Sequence, residues 1–376
     1  MKNGKLALVL TGGGARAAYQ VGFLQSLAKH FPDLQIPIIT GMSAGAINAS
    51  FIANHPGSCT EAIQALTEIW NEITPEKIFR VDTRSLLTGM FKSIVFVLLG
   101  AGSKKPRIRS LVDTNPLREF LQRHLKTEKG QCNEIENKLN IGSFEALAIT
   151  TTNYMTGQTI TWTQGCSLQN WRRPNQVSRK TRFTIDHVMA SAAIPVFFPA
   201  VKIGNEWHGD GGIRLYSPLS PAIHLGADRI LAISTRYTRS KEEADLPVIR
   251  DYPPPSQIAG ILMNAIFLDS LDQDADRLER INRLLRELPE EKRDGRRLIE
   301  LFILRPTVDL GKLSLQFEPK LPPLFRYLMR KQGSRKTTSP DWLSMVMFQK
   351  DYLHNLIELG EKDAEDKFSE IESFLS

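Results

Sequence analysis

Ile38-Ile39-Thr40-Gly41-Met42-Ser43-Ala44-Gly45-Ala46 is the stretch on which the reading of the whole chain turns. It begins as a short apolar run, turns on small residues and continues into a helix-forming segment. Ser43 sits at the turn, inside G-x-S-x-G. A serine on a sharp strand-to-helix turn has its hydroxyl lifted above the end of a sheet, where an ester carbonyl can reach it. The turn strains the backbone at the serine and excludes bulky neighbours, which accounts for Gly41, Ala44 and Gly45. The helix starting at Ala44 also aims backbone N–H groups at the same point. The pattern is short, and taken alone it fits an inert glycine-rich turn equally well.

The residues around it supply a frame. Lys5 to Leu10 reads as a buried parallel strand. It runs into Gly12-Gly13-Gly14-Ala15-Arg16, and Ala17 to His30 follows as a helix with Val21, Leu24, Leu27 and Ala28 on one face. Ile36 to Thr40 is a second strand, Ala46 to Asn54 continues the helix after Ser43, and Glu61 to Asn71 is another helix. This order of strand, loop, helix, strand, turn and helix predicts a parallel, three-layer α/β sheet.

Two constellations add chemistry. Consecutive glycines at 12–14 let backbone N–H groups converge on an anionic oxygen. They could form the oxyanion hole of an acyl transferase. They could also cradle the phosphates of a dinucleotide, since Gly12-x-Gly14-x-x-Ala17 fits that pattern. A dinucleotide site wants an acidic residue at the end of the second strand, and Thr40-Gly41-Met42-Ser43 offers none. The second constellation is His208-Gly209-Asp210-Gly211-Gly212. Ser43 needs a proton acceptor. A histidine held by an acid would serve, with His208, His224 or His354 as the base. Asp210 could also act directly, best when partly desolvated. Only two strands precede Ser43, which argues against an ordinary α/β-hydrolase. An Asp-Gly-Gly alone reads first as a turn.

Together these stretches resemble the patatin-like phospholipase family, which pairs an N-terminal glycine-rich loop with G-x-S-x-G and a later D-G-[GA]. Ala190-Ser191-Ala192-Ala193-Ile194-Pro195-Val196-Phe197-Phe198-Pro199-Ala200 also looks like the helix-and-proline stretch that precedes the aspartate in that family. The resemblance covers residues 5 to 235. It implies a three-layer α/β/α patatin-like fold with a mainly parallel central sheet. It also implies hydrolysis of lipid acyl esters by a serine–aspartate dyad without a metal or other cofactor. Ser43 would be the nucleophile and Asp210 the base, and Gly12, Gly13 and Gly14 would supply the oxyanion hole. Arg16, Gly41, Gly45, Gly211 and Gly212 match the motif positions around them, and Arg16 is expected to pin the loop rather than to react. Ala17 stands where the family usually has glycine. The competing readings are a Ser-His-Asp esterase and a catalytically inactive lipid-binding or scaffold protein.

Elsewhere the signals are coarser. The segment 85–112 carries Ile94-Val95-Phe96-Val97-Leu98-Leu99 followed by Lys104, Lys105, Arg107 and Arg109. It suits a lid or membrane-facing helix, or a core helix followed by a solvated loop. Ala146 to Thr152 and Thr159 to Thr163 read as two joined strands, and Ala200 to His208 as a strand pair turning at Gly204-Asn205. Residues 165–182 are polar and basic and read as a surface loop. Ile185 to Ala193 reads as a helix, and Arg229 to Thr235 as a buried strand. From 241 the character changes: a charged, proline-rich linker, amphipathic helices over 256–287, a late strand at Leu301 to Leu304, and a final helical pair. The expected organisation is a catalytic domain over 1–240 and a mostly helical C-terminal region over 241–376, packed on it or appended to it.

Composition bounds the setting. The 376 residues carry a net charge of +7, with 41% hydrophobic and 24% charged residues, ordinary for a globular chain. The basic balance suits anionic lipid surfaces. A nucleic-acid role is set aside, because no basic groove with interleaved aromatics is evident. Cys59, Cys132 and Cys166 are odd in number and far apart, as expected of free thiols in a reducing compartment. The apolar run Leu6 to Leu10 is too short for a signal peptide, and Ser93 to Ala101 is about half a membrane span. A cytoplasmic protein meeting lipid peripherally is expected, with no sign of a particular oligomeric state.

Overall fold

The computed structural model describes residues 4–80, 110, 112–128, 130–166, 169–195, 197–245, 255–267, 269–320 and 340–376. The segment expected as a lid, 85–112, lies outside these residues apart from Ser110 and Val112.

β1 (Leu6–Leu10) is buried along its whole length. Leu6, Leu8 and Leu10 enter one core and Ala7 and Val9 the other, as the two-residue period of a strand requires. The glycine loop closes with one 3₁₀ turn, Gly14–Ala17, before α1 (Ala18–His30). β2 (Ile38–Met42) starts two residues later than the apolar run suggests. Pro37 has no N–H to give a neighbouring strand, and its carbonyl instead accepts the N–H groups of Glu145 and Ala146. α2 (Ala44–Asn54) follows the elbow, and α3 (Cys59–Glu72) opens on a Ser58–Glu61 capping box. α4 (Asn115–His124) precedes β3 (Ala146–Asn153) and β4 (Thr159–Gly165), an antiparallel hairpin.

The basic stretch read as a surface loop instead contains β5 (Arg172–Arg173) and β6 (Gln176–Lys180). β6 pairs in parallel with β4, Ser178 is buried, and the Arg179 guanidinium lies 5.6 Å from the Trp162 ring centroid. Cationic residues suit a sheet edge, where they discourage pairing with another chain. This use hides the strand among charges. α5 (Ile185–Ser191), β7 (Val201–Ile203), β8 (Glu206–Asp210) and β9 (Arg229–Ile233) complete the first 240 residues of the sheet region.

The strand order is β10-β9-β1-β2-β3-β4-β6-β5, with β10 formed by Glu300–Leu304. β10, β9, β1, β2 and β3 run parallel. β8 lies antiparallel against the C-terminal end of β3, pairing Asp210 with Thr151. Ser43 and Asp210 therefore meet at the carboxyl end of the parallel strands, where ligands bind in open α/β sheets. One face of the sheet is covered by the short helix Ser220–His224 and by α7 (Ser270–Glu287), which follows α6 (Pro255–Phe267). The other carries α1, α2 and α3. α8 (Pro340–Val346) and α9 (Lys350–Asp366) join that face from the C-terminal region. α1 and α9 cross almost backbone to backbone. A Cβ at Gly22 would stand 1.9 Å from the Ile357 carbonyl oxygen, and one at Gly360 would stand 2.2 Å from that of Tyr19. No helix among the described residues is long and apolar enough to cross a membrane.

Candidate active site

Ser43 has φ 55° and ψ −130°, a conformation that costs a non-glycine residue about 1–3 kcal/mol. Its surroundings hold it there. The Ser43 N–H donates to Ser191 Oγ at 3.0 Å, and Ser191 Oγ donates to the Thr150 carbonyl at 2.7 Å. Gly45 lets the turn press against β1: a Cβ there would lie 2.3 Å from the Leu10 carbonyl oxygen and 2.4 Å from that of Thr11. Gly41 is closed in the same way by the Gly45 carbonyl and Ala49.

Asp210 sits at the end of β8 and is fully buried. Its Oδ2 accepts the Ser43 hydroxyl at 2.6 Å, and its Oδ1 accepts the Gly212 N–H at 2.9 Å. Its main chain is fixed as well: N–H to the Ala193 carbonyl at 3.0 Å, and carbonyl to Thr152 Oγ1 at 2.8 Å. Burial pushes the Asp210 carboxyl up to about 7, against the opposing pull of the hydrogen bonds from Ser43 and Gly212. Gly211 packs on the Thr150 carbonyl and Gly212 on the Phe267 ring, with no room for a side chain at either.

The glycine loop lies against this pair. A Cβ at Gly12 would touch Ser43 Cβ at 3.0 Å, and Gly14 lines the same cavity as Ser43. Gly13 (φ 146°) and Gly14 (φ 57°) both have left-handed backbones. Thr235 Oγ1 donates to the Gly12 carbonyl at 2.7 Å, which fixes the peptide orientation. Arg16 is buried; its Nε donates to Ser344 Oγ at 2.6 Å and its guanidinium pairs with Asp341 Oδ1 at 2.7 Å, both on α8. Burial pushes the Asp341 carboxyl up, and Arg16 and Asn264 more than reverse this, holding it below its usual value. Arg16 thus ties the loop to α8. Ala17 has an ordinary helical backbone (φ −66°, ψ −11°), so its position does not require glycine.

The three histidines considered as bases lie elsewhere. His208 Nδ1 is 3.1 Å from Thr151 Oγ1, and its ring packs beside Trp162. His224 stacks on Trp171, and His354 pairs with Glu358 on the exposed side of α9. Among the described residues, Asp210 is the side chain that accepts the Ser43 hydroxyl.

A narrow, almost wholly apolar channel opens at Ser43. Ala44, Ile47 and Phe51 of α2, Leu66 and Ile69 of α3, and Leu121 of α4 form much of its wall. The sequence matches the family model for patatin-like phospholipases over residues 8–223. The chain belongs to the patatin-like phospholipase family. Among solved structures it is similar to VipD from Legionella pneumophila, with 13% identity over 95% of this chain and 67% of that one, at a TM-score of 0.35. It is also similar to human GIVD cytosolic phospholipase A2, with 11% identity over 99% of this chain and 60% of that one, at a TM-score of 0.48. The chain thus spans about three fifths of the human protein's length. Among curated proteins none matches the sequence.

For this member of the patatin-like phospholipase family, three supports of the site escaped the sequence. Ser191 holds the Ser43 amide, Thr152 holds the Asp210 carbonyl, and Asp341 holds Arg16. Ser191 lies in the small-residue run Ala190–Ala193, where a lone hydroxyl among alanines was the available signal. Nothing local marks Thr152 or Asp341.

Proposed function

We propose that the protein is a lipid acyl hydrolase of phospholipase A or lysophospholipase type, acting through a Ser43–Asp210 dyad. The observation that carries this reading is the 2.6 Å hydrogen bond from Ser43 Oγ to a carboxylate that burial has made more basic, at the mouth of an apolar channel. Such a channel matches an acyl chain in its apolar chemistry and, at about 50 Å³, must widen to admit one; a carboxyl with its affinity near neutral pH can accept and return a proton.

In the proposed reaction Ser43 Oγ attacks the ester carbonyl carbon while its proton passes to Asp210 Oδ2. The charge on the carbonyl oxygen is met by N–H groups of the glycine loop and of the first turn of α2, which have no partners within that helix. The tetrahedral intermediate collapses, the bond to the leaving oxygen breaks, and Asp210 returns the proton to it. An alcohol or lysolipid departs and an acyl-serine remains. Water then attacks the acyl carbon and gives its proton to Asp210. A second collapse frees the fatty acid and returns the proton to Ser43. The step needs no histidine, because Asp210 already accepts the Ser43 hydroxyl directly.

Contact with a lipid surface follows from the same reading. Ile258, Ile261 and Leu262 are exposed on α6, a helix without a charged residue whose last residue, Phe267, packs on Gly212. Tyr154, Met155 and Tyr216 are also exposed large side chains in segments that flank the end of β8.

The test is turnover of a phospholipid and a lysophospholipid by wild type, Ser43→Ala and Asp210→Asn. Both variants should fold as wild type, and each should lose activity by about 10³-fold or more. Wild-type turnover in Asp210→Asn would remove the dyad. Loss of activity in His208→Ala with retention in Asp210→Asn would move the base to the histidine.

A further inference from the structure

The apolar channel at Ser43 shares part of its wall with a second cavity. The channel follows α2 outward, past Ala44, Ile47 and Phe51. The second cavity, of about 260 Å³, is lined by Asn54, His55, Glu68, Arg123 and Lys126 among others. Four side chains border both spaces: Phe51, Ile69, His124 and Leu125. They come from α2, from α3, and from the end of α4 and the residue after it, so a single partition is built from three elements.

The partition stands at a definite depth. Phe51 is eight residues along α2 from Ser43, which at ~1.5 Å per residue places it ~12 Å from the nucleophile. In front of it the lining is aliphatic and aromatic; behind it charged and amide side chains are mixed with apolar ones such as Pro56 and Ala65. An acyl chain bound at Ser43 can bury its methylenes only as far as this point. A longer chain must displace the partition, or leave methylenes among polar groups and water, where the gain of about 0.8 kcal/mol per buried methylene is lost.

We infer that Phe51, Ile69, His124 and Leu125 form a gate that sets the acyl-chain length the enzyme accepts, with the second cavity as the overflow for chains that pass it. This rests on the acyl-hydrolase reading above. The side chains suit a movable partition. His124 packs against Phe120 at 4.3 Å between ring centroids, and among the described residues it has no hydrogen bond. Burial also lowers its proton affinity, so the partition carries no charge at neutral pH. Leu125 is fixed more firmly, because its carbonyl accepts Asn54 Nδ2 at 2.7 Å. Ile69 and Phe51 are therefore the positions to alter.

The experiment compares kcat/KM for p-nitrophenyl butyrate, octanoate and palmitate in wild type, Ile69→Ala, Phe51→Trp and Ile47→Trp, with fluorophosphonate labelling of Ser43 and circular dichroism alongside. Ile69→Ala should open the partition and raise the palmitate-to-octanoate ratio by about tenfold, the scale on which pockets discriminate methylenes. Phe51→Trp should lower it by a similar factor. Ile47→Trp, which blocks the channel in front of the partition, should cut octanoate and palmitate together and butyrate least. Folded variants that label at Ser43 and keep the wild-type ratios would overturn the gate while leaving the hydrolase reading standing. A wild type that neither labels nor turns over any ester would sink the hydrolase reading, and the gate with it.

Discussion

At the scale of single residues the site depends on Asp210 being both buried and ionisable. In the proposed dyad the base must be ionised, so kcat/KM should climb with pH through an apparent value of about 7 and level off above it. A flat profile across that range would contradict the assignment. Stability should move the other way. The folded-state value lies above the unfolded one, so folding holds the proton more tightly. The stabilisation from the protonated carboxyl is complete below the ordinary aspartate range and is lost as pH rises through about 7. Asp210→Asn lacks this titration. Its melting temperature relative to wild type should therefore rise between about pH 5 and about pH 8, which calorimetry can read. Ser191 offers a second check. Ser191→Ala removes the acceptor of the Ser43 N–H and should cost about 1–3 kcal/mol as that buried donor loses its partner. Activity should fall more than stability alone explains, because the strained elbow loses its tether.

At the scale of elements, what could be read from the sequence is what is local. The elbow and the glycine loop need left-handed backbone conformations, and the Asp-Gly-Gly turn needs residues without side chains, so only certain residue types permit them. The strands β1, β2, β3 and β9 are equally plain, because a strand buried on both faces carries a run of apolar residues. The pair β5–β6 was hidden because an edge strand carries charges that a loop would also carry. The join between the loop and α8 was hidden for another reason: Arg16 and Asp341 are 325 positions apart. That pair makes a prediction for the element it secures. The Arg16 side chain is 3% exposed and that of Asp341 16%, so Arg16→Ala leaves a part-buried carboxylate with Asn264 as its remaining partner. Such a loss costs about 1–3 kcal/mol, less than breaking a fully buried ion pair. Chemical denaturation should show that loss, and the glycine loop should become a site of proteolysis. A stability change within error would mean that the loop is held by something other than α8.

At the scale of the molecule, the sequence suggested a catalytic region followed by a helical extension. The strand β10 at residues 300–304 lies in the same sheet as β1, and α9 is seated on α1 through Gly22 and Gly360. We expect residues 1–240 alone to be insoluble or molten. A cooperative melt and fluorophosphonate labelling by that fragment would show a separable domain instead. The outer surface makes a different prediction. Ile261 and Leu262 are 59% and 55% exposed on the charge-free α6. If they enter lipid, Ile261→Asp with Leu262→Asp should weaken sedimentation with anionic liposomes more than tenfold. That follows from ~1.5–3 kcal/mol of burial per side chain. Turnover of short soluble esters should hardly change. Equal liposome binding by the double variant would place the contact on another face.

The pairing of Ser43 with Asp210 is the claim on which the rest depends. Intact mass after exposure to a fluorophosphonate tests it most directly, on wild type, Ser43→Ala and Asp210→Asn in parallel. The account predicts one adduct on wild type, none on Ser43→Ala, and labelling of Asp210→Asn slowed by orders of magnitude. An adduct on Ser43→Ala, or labelling of Asp210→Asn at the wild-type rate, would contradict it.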